Sequence, residues 1–376
     1  MPRLLLVCVS LLGIVLLSVL GEDRMPIPVD IDELTVEIDA IAMEYVQVGA
    51  MIGVIDRNQD RRTFSYGSDG LHLGSIPLHE DSLFDIGSIT KTFTCLLLAD
   101  MGLRGLVDPG TPVSQYLPRD RVTMPTFDDS EIELIHLATH TSGLPRGPQE
   151  SDYPKPEGFD PLNQYAAYTT AHVYKYLTDY CSLEFEPGTW FGYSNTGMGL
   201  LGHVLGLIDG TSFAEVLQRS ILDELGMAST FLLIPEDRQD DLARGHNENS
   251  GYAAPYLAND IFQGAGFLKS SLADMFSYLE ANIGLSETPL RAAMDAAQQS
   301  TGFYTGSLGE IGLGWFTQEL PDGQQVVWHG GRTTGYGTYI GFNKDLKTGV
   351  IVLCNFSVSD VATEIGERIL QLIPDY

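Results

Sequence analysis

Ser88 and Lys91 form the pattern in this sequence that most directly implies chemistry. They lie three residues apart within residues 84–94, where Gly87 precedes the serine and an apolar stretch follows the lysine. In a helix this spacing places the amine and the hydroxyl on one face, so that the lysine can help to take the serine proton. A helix that begins at or near Ser88 adds free N–H groups and partial positive charge beside the hydroxyl. The pattern therefore predicts a serine nucleophile for acyl transfer.

Tyr193 and Asn195 form a second polar group, in the only Tyr-x-Asn among seventeen tyrosines. A phenol near a lysine ammonium is more acidic, so Tyr193 can act as a general base toward Ser88. The Asn195 amide can orient Lys91 or bind a substrate carbonyl. A surface turn with a capping asparagine would produce the same residues, because Pro-Gly and Ser-Asn are common in turns.

A third group, His329, Gly330, Gly331 and Arg332, ends a β-like run. Two glycines after a strand residue let the backbone approach a ligand closely. The N–H of Arg332, together with the N–H of Ser88, can form an oxyanion hole. Taken alone, a histidine at a strand end is usually a hydrogen-bonded structural residue.

The three groups occur in the order and approximate spacing of a known superfamily. From about residue 33 to the C-terminus, the sequence resembles the serine β-lactamases and penicillin-binding proteins, in particular the class C β-lactamase-like branch. That branch also contains family VIII esterases, DD-peptidases and D-amino-acid peptidases. Further similar stretches lie at residues 134–145, 184–189 and 264–271.

The resemblance implies a role for each matching residue. Ser88 matches the nucleophile, Lys91 its partner, Tyr193 the general base and Asn195 the substrate-orienting amide. His329 stands where β-lactamases and DD-peptidases usually carry the lysine of a Lys-Thr-Gly triad, whereas many esterase-like and peptidase-like members carry His-x-Gly there. A mostly neutral imidazole replaces a fixed cation, which argues against efficient β-lactam hydrolysis.

These residues predict an exported serine hydrolase that acts through a Ser88 acyl-enzyme on ester or amide bonds, like a carboxylesterase or a D-amino-acid peptidase. The alternative within the superfamily is a β-lactamase or DD-carboxypeptidase acting on β-lactams or peptidoglycan peptides. A third alternative is a catalytically inactive binding or scaffold protein with the same fold. No cofactor is expected, and His136 and His140, four residues apart, do not follow a zinc-protease pattern.

Composition and the N-terminus restrict partners and location. With 50 acidic against 21 basic residues, the net charge of −29 disfavours nucleic acid as a partner. Residues 1–21 predict a secretory signal peptide, and hence a secreted or periplasmic protein; an uncleaved leader would tether the chain to a membrane through residues 4–20. Cys95, Cys181 and Cys354 match no zinc or redox spacing, and the sequence leaves open whether two of them form a disulfide.

The coarse pattern predicts a mixed α/β (α+β) fold, and the resemblance implies that this fold is of the β-lactamase/DD-peptidase type. Strands near both ends, with helices between them, imply one antiparallel sheet built from both termini, with flanking helices and an inserted helical region. The predicted hydrolase domain spans residues 30–376, with a sheet region at 30–87 and 285–376 and a mainly helical region at 88–284.

Overall fold

The computed structural model describes residues 32–247, 251–257 and 260–376. The interpretation of residues 1–21 as a signal peptide or anchor lies outside these residues and stays a prediction. Within the described residues, no single helix is long and apolar enough to cross a bilayer. Two consecutive segments, Asn195–Asp209 and Phe213–Leu222, are together long and apolar enough for a membrane span, but their axes are bent by 81°.

The described residues form nine α-helices and thirteen β-strands. The helices are α1 (Glu33–Tyr45), α2 (Thr90–Leu103), α3 (Leu134–Ala138), α4 (Thr170–Asp179), α5 (Asn195–Asp209), α6 (Phe213–Leu217), α7 (Leu272–Ile283), α8 (Arg291–Gln298) and α9 (Val361–Leu372). The strands are β1 (Gly49–Ile55), β2 (Arg61–Gly67), β3 (Leu83–Asp85), β4 (Gly245–Asn247), β5 (Gly251–Ala253), β6 (Lys269–Ser271), β7 (Phe303–Tyr304), β8 (Glu310–Ile311), β9 (Phe316–Glu319), β10 (Gln325–Arg332), β11 (Gly337–Asn343), β12 (Thr348–Cys354) and β13 (Phe356–Ser357).

Eight of these strands form one antiparallel sheet in the order β2-β1-β12-β11-β10-β9-β8-β7. The N-terminal strand β1 pairs with the C-terminal strand β12, with Ala50 opposite Cys354. Strand β1 is buried at every position, as its apolar sequence requires, whereas the edge strand β2 alternates between exposed and partly buried positions. The prediction of an antiparallel sheet built from both ends of the chain, with flanking helices, is confirmed.

Helices cover both faces of the sheet. On one face α1 and α9 bury apolar residues such as Ile38 and Ile369 against the strands. On the other face α7 packs closely against two glycines of the sheet. A Cβ added at Gly53 would stand 2.6 Å from the Phe276 ring, and one added at Gly349 would stand 2.9 Å from Leu279. How the chain divides into regions stays a prediction.

A two-stranded sheet of β3 and β6 connects the nucleophile segment to the rest of the fold. Its register places Asp85 opposite Lys269, and the two charged groups lie 3.6 Å apart, both almost fully buried. Lys269 Nζ also donates to the carbonyls of Tyr256, at 2.5 Å, and Phe267, at 3.0 Å. The N–H of Tyr256 donates to Asp85 Oδ2 at 2.8 Å. This buried network fixes the strand that leads directly into Ser88.

Three element boundaries differ from the sequence prediction. The helix expected at Ser88 begins instead with a 3₁₀ turn, Gly87–Ile89, and α2 follows at Thr90. The helical spacing of apolar residues over 213–225 predicts one helix, whereas the structure has the short α6 followed by a π-turn, Gln218–Leu222. The β-like sequence of residues 313–317 predicts a strand, which begins only at Phe316 because Gly314 adopts a positive φ of 71° before it.

Candidate active site

Ser88 lies in the 3₁₀ turn between β3 and α2, and its backbone is held against β10. Gly87 adopts φ 52°, and a Cβ there would stand 2.7 Å from the backbone nitrogen of Arg332. A Cβ at Gly331 would stand 2.0 Å from the carbonyl oxygen of Ile86. Glycine is required at both positions because the turn and the strand touch through their backbones. The contact places the N–H of Arg332 beside the residue that precedes the nucleophile.

Lys91 is fully buried, and its amine points at the Ser88 hydroxyl. Lys91 Nζ lies 3.0 Å from Ser88 Oγ and also donates to the carbonyl of Ala265. Burial lowers the pKa of Lys91 well below its usual value, and the positive charge of Arg146 lowers this pKa further. A buried amine with a lowered pKa can be uncharged near neutral pH and can accept the Ser88 proton.

Tyr193 completes a cluster with these two residues. The Lys91 amine lies 4.8 Å from the centre of the Tyr193 ring. Burial raises the pKa of the Tyr193 phenol, although its hydrogen bond to Ser88 and the charge of Arg146 act in the opposite direction. The net increase favours the protonated phenol in the resting protein. Tyr193 is therefore better prepared to donate a proton than to begin as a phenolate base.

His140, which the sequence did not place in the site, positions the Tyr193 segment. It adopts φ 56°, and its carbonyl accepts the N–H of Gly192 at 2.8 Å. Its Nδ1 accepts the N–H of Ser194 at 3.1 Å, and its ring centre lies 4.3 Å from that of Tyr193. These contacts hold the residues on both sides of Tyr193. Burial lowers the pKa of His140 well below its usual value, so this support stays uncharged.

Asn195 begins helix α5, two residues along the chain from the phenol. Its Nδ2 donates to the hydroxyl of Tyr165 at 2.8 Å, while its backbone N–H donates to the carbonyl of Arg146 at 2.9 Å. The side chain makes no hydrogen bond to Lys91 within the described part of the chain. Of the two roles considered from the sequence, the substrate-binding one stays a prediction.

His329 lies on β10 at the wall of the same site and is buried. Its Nδ1 lies 2.7 Å from the carbonyl oxygen of Gly330, an acceptor, so Nδ1 carries the proton. The other ring nitrogen, Nε2, is then an acceptor, and no described residue donates to it. Burial and the charge of Lys91 lower the pKa of His329 to about 3. The imidazole is therefore neutral at physiological pH and does not supply the cation of a Lys-Thr-Gly triad.

The Arg332 side chain extends to the exposed rim of the site, near Ser359 and Asp360. Its guanidinium lies 3.4 Å from the carbonyl of Ser359 and 3.9 Å from the carboxylate of Asp360, and the side chain is largely exposed. Arg332 therefore contributes its backbone N–H near Gly87, while its charge lies at the rim. This side-chain direction was not readable from the sequence.

A cavity of about 480 Å³ brings most of the predicted residues together. Its wall includes Ser88, Arg146, Tyr193, His329, Gly331 and Arg332. Arg146 was not predicted as part of the site. It directly follows the superfamily-like stretch at residues 134–145, but a single arginine in a loop carries no pattern that would identify it.

The described residues contain no cluster of three or more His, Cys, Asp or Glu that could hold a metal ion. His136 Nδ1 accepts the backbone N–H of Glu133, and His140 serves the Tyr193 segment. Cys95, Cys181 and Cys354 are free thiols, so no disulfide joins any two of them in this structure.

Comparisons with known proteins agree with this geometry. The family model described as Beta-lactamase matches residues 38–372. A beta-lactamase from Pseudomonas fluorescens is 28% identical over 347 residues, covering 83% of this chain and 90% of that protein.

Among solved structures, a class C beta-lactamase superimposes with a TM-score of 0.77 at 22% identity, covering 93% of this chain and 98% of that one. A beta-lactamase/D-alanine carboxypeptidase from Pseudomonas syringae gives a TM-score of 0.74 at 24% identity, covering 90% and 97%. These structures show the same fold, as expected from the sequence. Because the family match spans nearly all of the described residues, the chain belongs to the beta-lactamase family of serine hydrolases.

Proposed function

We propose that the protein hydrolyses ester or amide bonds through an acyl-enzyme on Ser88, with a preference like that of a carboxylesterase or a D-amino-acid peptidase. The observation that carries this proposal is the 3.0 Å contact between the Ser88 hydroxyl and the buried Lys91 amine. An amine whose pKa is lowered by burial can activate a serine without a histidine.

The residues divide the proton transfers between them. Lys91 Nζ takes the Ser88 proton while Ser88 Oγ bonds to the substrate carbonyl carbon, and the oxyanion accepts from the N–H groups of Ser88 and Arg332. Collapse of this intermediate breaks the bond to the leaving group, which takes the Tyr193 proton as the phenol recovers one from Lys91. Water then attacks the acyl carbon, and the reverse transfers release the acid and restore Ser88. This order differs from the sequence expectation, in which Tyr193 was the first base.

The neutral state of His329 favours esters and uncharged amides as substrates. It disfavours substrates whose own carboxylate must be bound by a cation on β10. A neutral imidazole whose free nitrogen is an acceptor offers no attraction to a carboxylate there. The Pseudomonas fluorescens relative is a beta-lactamase and the Pseudomonas syringae structure is a beta-lactamase/D-alanine carboxypeptidase. These two similarities favour the second candidate function, hydrolysis of β-lactams or of D-alanine peptides.

Covalent labelling tests the proposal without knowledge of the natural substrate. Folded protein is incubated with a fluorophosphonate, which phosphonylates an activated serine and releases fluoride, and the adduct is mapped by peptide mass spectrometry. We expect one adduct, on Ser88, and none in the Ser88→Ala variant. A folded protein that gives no adduct would favour the inactive binding-protein alternative, and an adduct on another serine would move the nucleophile elsewhere.

Position 329 is expected to set the balance between substrates. His329→Lys supplies a cation near the nucleophile, so kcat/KM for a cephalosporin should rise at least about tenfold relative to that for a short-chain aryl ester. His329→Gln is the matched control, because it changes the side chain without adding charge. An equal ratio in all three proteins would show that this position does not determine specificity.

A further inference from the structure

Arg146 lies beside the reacting groups although nothing in the mechanism above requires it. Its guanidinium carbon lies 5.1 Å from the centre of the Tyr193 ring, and the Lys91 amine lies 4.8 Å from the same centre. Two basic side chains therefore lie over one phenol ring. Arg146 also lines the cavity that contains Ser88.

The backbone of Arg146 is anchored to the segment that carries the phenol. Its carbonyl accepts the N–H groups of Asn195, at 2.9 Å, and Thr196, at 3.1 Å, at the start of α5. The Arg146 residue itself is exposed. In a chain with 50 acidic residues, no described carboxylate lies within ion-pair distance of its guanidinium. No ion pair among the described residues therefore compensates the charge of Arg146, which acts on Tyr193 and Lys91.

We propose that Arg146 is an electrostatic positioning residue, whose permanent charge keeps the Lys91 amine unprotonated and ready to activate Ser88. The inference rests on the proposed function. A guanidinium stays charged at any pH at which the protein is folded, whereas the Lys91 amine can lose its proton. The positive charge of Arg146 disfavours a positive charge on Lys91, and of the two side chains only the lysine can lose its proton.

The other groups that face Lys91 do not supply this effect. Cys95 lies one turn further along α2, and burial raises the pKa of its thiol, so it stays uncharged. His140 and His329 are both neutral, because burial lowers the pKa of each. Tyr193 is held as the protonated phenol. The hydroxyl of Tyr165 accepts hydrogen bonds from the neutral amides of Asn195 and Gln149. Among the described groups around the amine, Arg146 is the one with a permanent charge.

The test measures the second-order rate at which a fluorophosphonate labels Ser88, as a function of pH. In the wild-type protein the rate should rise with pH as Lys91 loses its proton. Arg146→Gln removes a like charge, so the pKa of Lys91 rises. The part of the profile in which the rate rises with pH, the acid limb, should move to higher pH by roughly 0.5 to 1 pH unit. Arg146→Met should move the limb in the same way, and Arg146→Lys should restore most of the wild-type position. Added salt should reduce the difference between the wild type and Arg146→Gln, because Arg146 is exposed.

Arg121→Gln provides the matched control. Arg121 also lies over an aromatic ring, 5.7 Å from the centre of Tyr174, but it is not in the cavity. Arg121→Gln changes the net charge by the same amount as Arg146→Gln but should leave the acid limb at the same pH. If net charge alone caused the shift, both variants would show it. Normal labelling of Ser88 with the same acid limb in Arg146→Gln and Arg146→Met would overturn the role of Arg146. Absence of a Ser88 adduct in the wild-type protein would instead overturn the proposed function itself.

Discussion

Replacement of Ser88 by alanine is expected to lower kcat for an ester substrate by about four orders of magnitude or more. Nucleophile removal has effects of this size because binding and oxyanion contacts alone give only a small residual rate. Lys91 and Tyr193 remain in the variant, but the hydroxyl 3.0 Å from the amine is gone. Single-turnover and steady-state rates with an aryl ester measure the loss, and circular dichroism verifies folding.

Ser212→Ala is a matched control for this measurement. Ser212 also begins a helix, where its hydroxyl accepts the N–H of Glu215, but it has a glutamate rather than a lysine three residues on. The control should lose about 1 kcal/mol of stability through the lost cap, with little change in kcat. Substantial activity in Ser88→Ala would show that another group forms the covalent intermediate.

Lys269→Met is expected to lower the free energy of unfolding by about 3 to 5 kcal/mol. The substitution preserves side-chain bulk but leaves the buried Asp85 carboxylate without its cation, and the carbonyls of Tyr256 and Phe267 without their donor. Burial raises the pKa of Asp85 and lowers that of Lys269, and the charge of each partner acts in the opposite direction on the other. Removal of Lys269 therefore leaves Asp85 with the cost of burial and without the opposing attraction. Urea unfolding curves measure the change.

Two further variants show whether this loss comes from the buried pair. Asp85→Leu combined with Lys269→Met should recover much of the stability, because no unpaired charge remains buried. Lys175→Met removes an exposed partner of Asp179, at 2.6 Å, and should leave the free energy of unfolding almost unchanged, because water screens exposed ion pairs. A loss below about 1 kcal/mol in Lys269→Met would mean that the buried pair contributes little to the fold.

The candidate site residues could be selected from the sequence because their types and spacing are local, and the structure places Ser88, Tyr193 and His329 around one cavity. The Ser88–Lys91 spacing required only a helical turn, and the β-like run up to His329 required only alternation and glycines. The sheet of both chain ends followed in the same way from apolar runs such as β1 and β12. These features depend on short stretches of sequence, where residue patterns are informative.

The remaining features depend on contacts between distant parts of the chain. The 3₁₀ turn at Gly87 arises where the backbone meets β10, and sequence periodicity does not report such a contact. The position of Arg146 depends on its carbonyl bonds to the start of α5. The tautomer of His329 depends on the carbonyl that follows it. The pairing of Asp85 with Lys269 joins residues far apart, and nothing in either stretch identifies the other as its partner.

The pairing of Ala50 with Cys354 affects how the protein must be made. The ribosome adds roughly 5 to 20 residues per second, so on the order of 10 to 60 s separate synthesis of the Ser88 turn from that of β12. Throughout that interval β1, which is apolar along its whole length, can pair with β2 but lacks β12 on its other edge, and that open edge is a target for intermolecular pairing. Strand β10, which completes the catalytic cavity, has no folded place until β11 and β12 exist. The cavity beside Ser88 is therefore complete only after β12 has been synthesised.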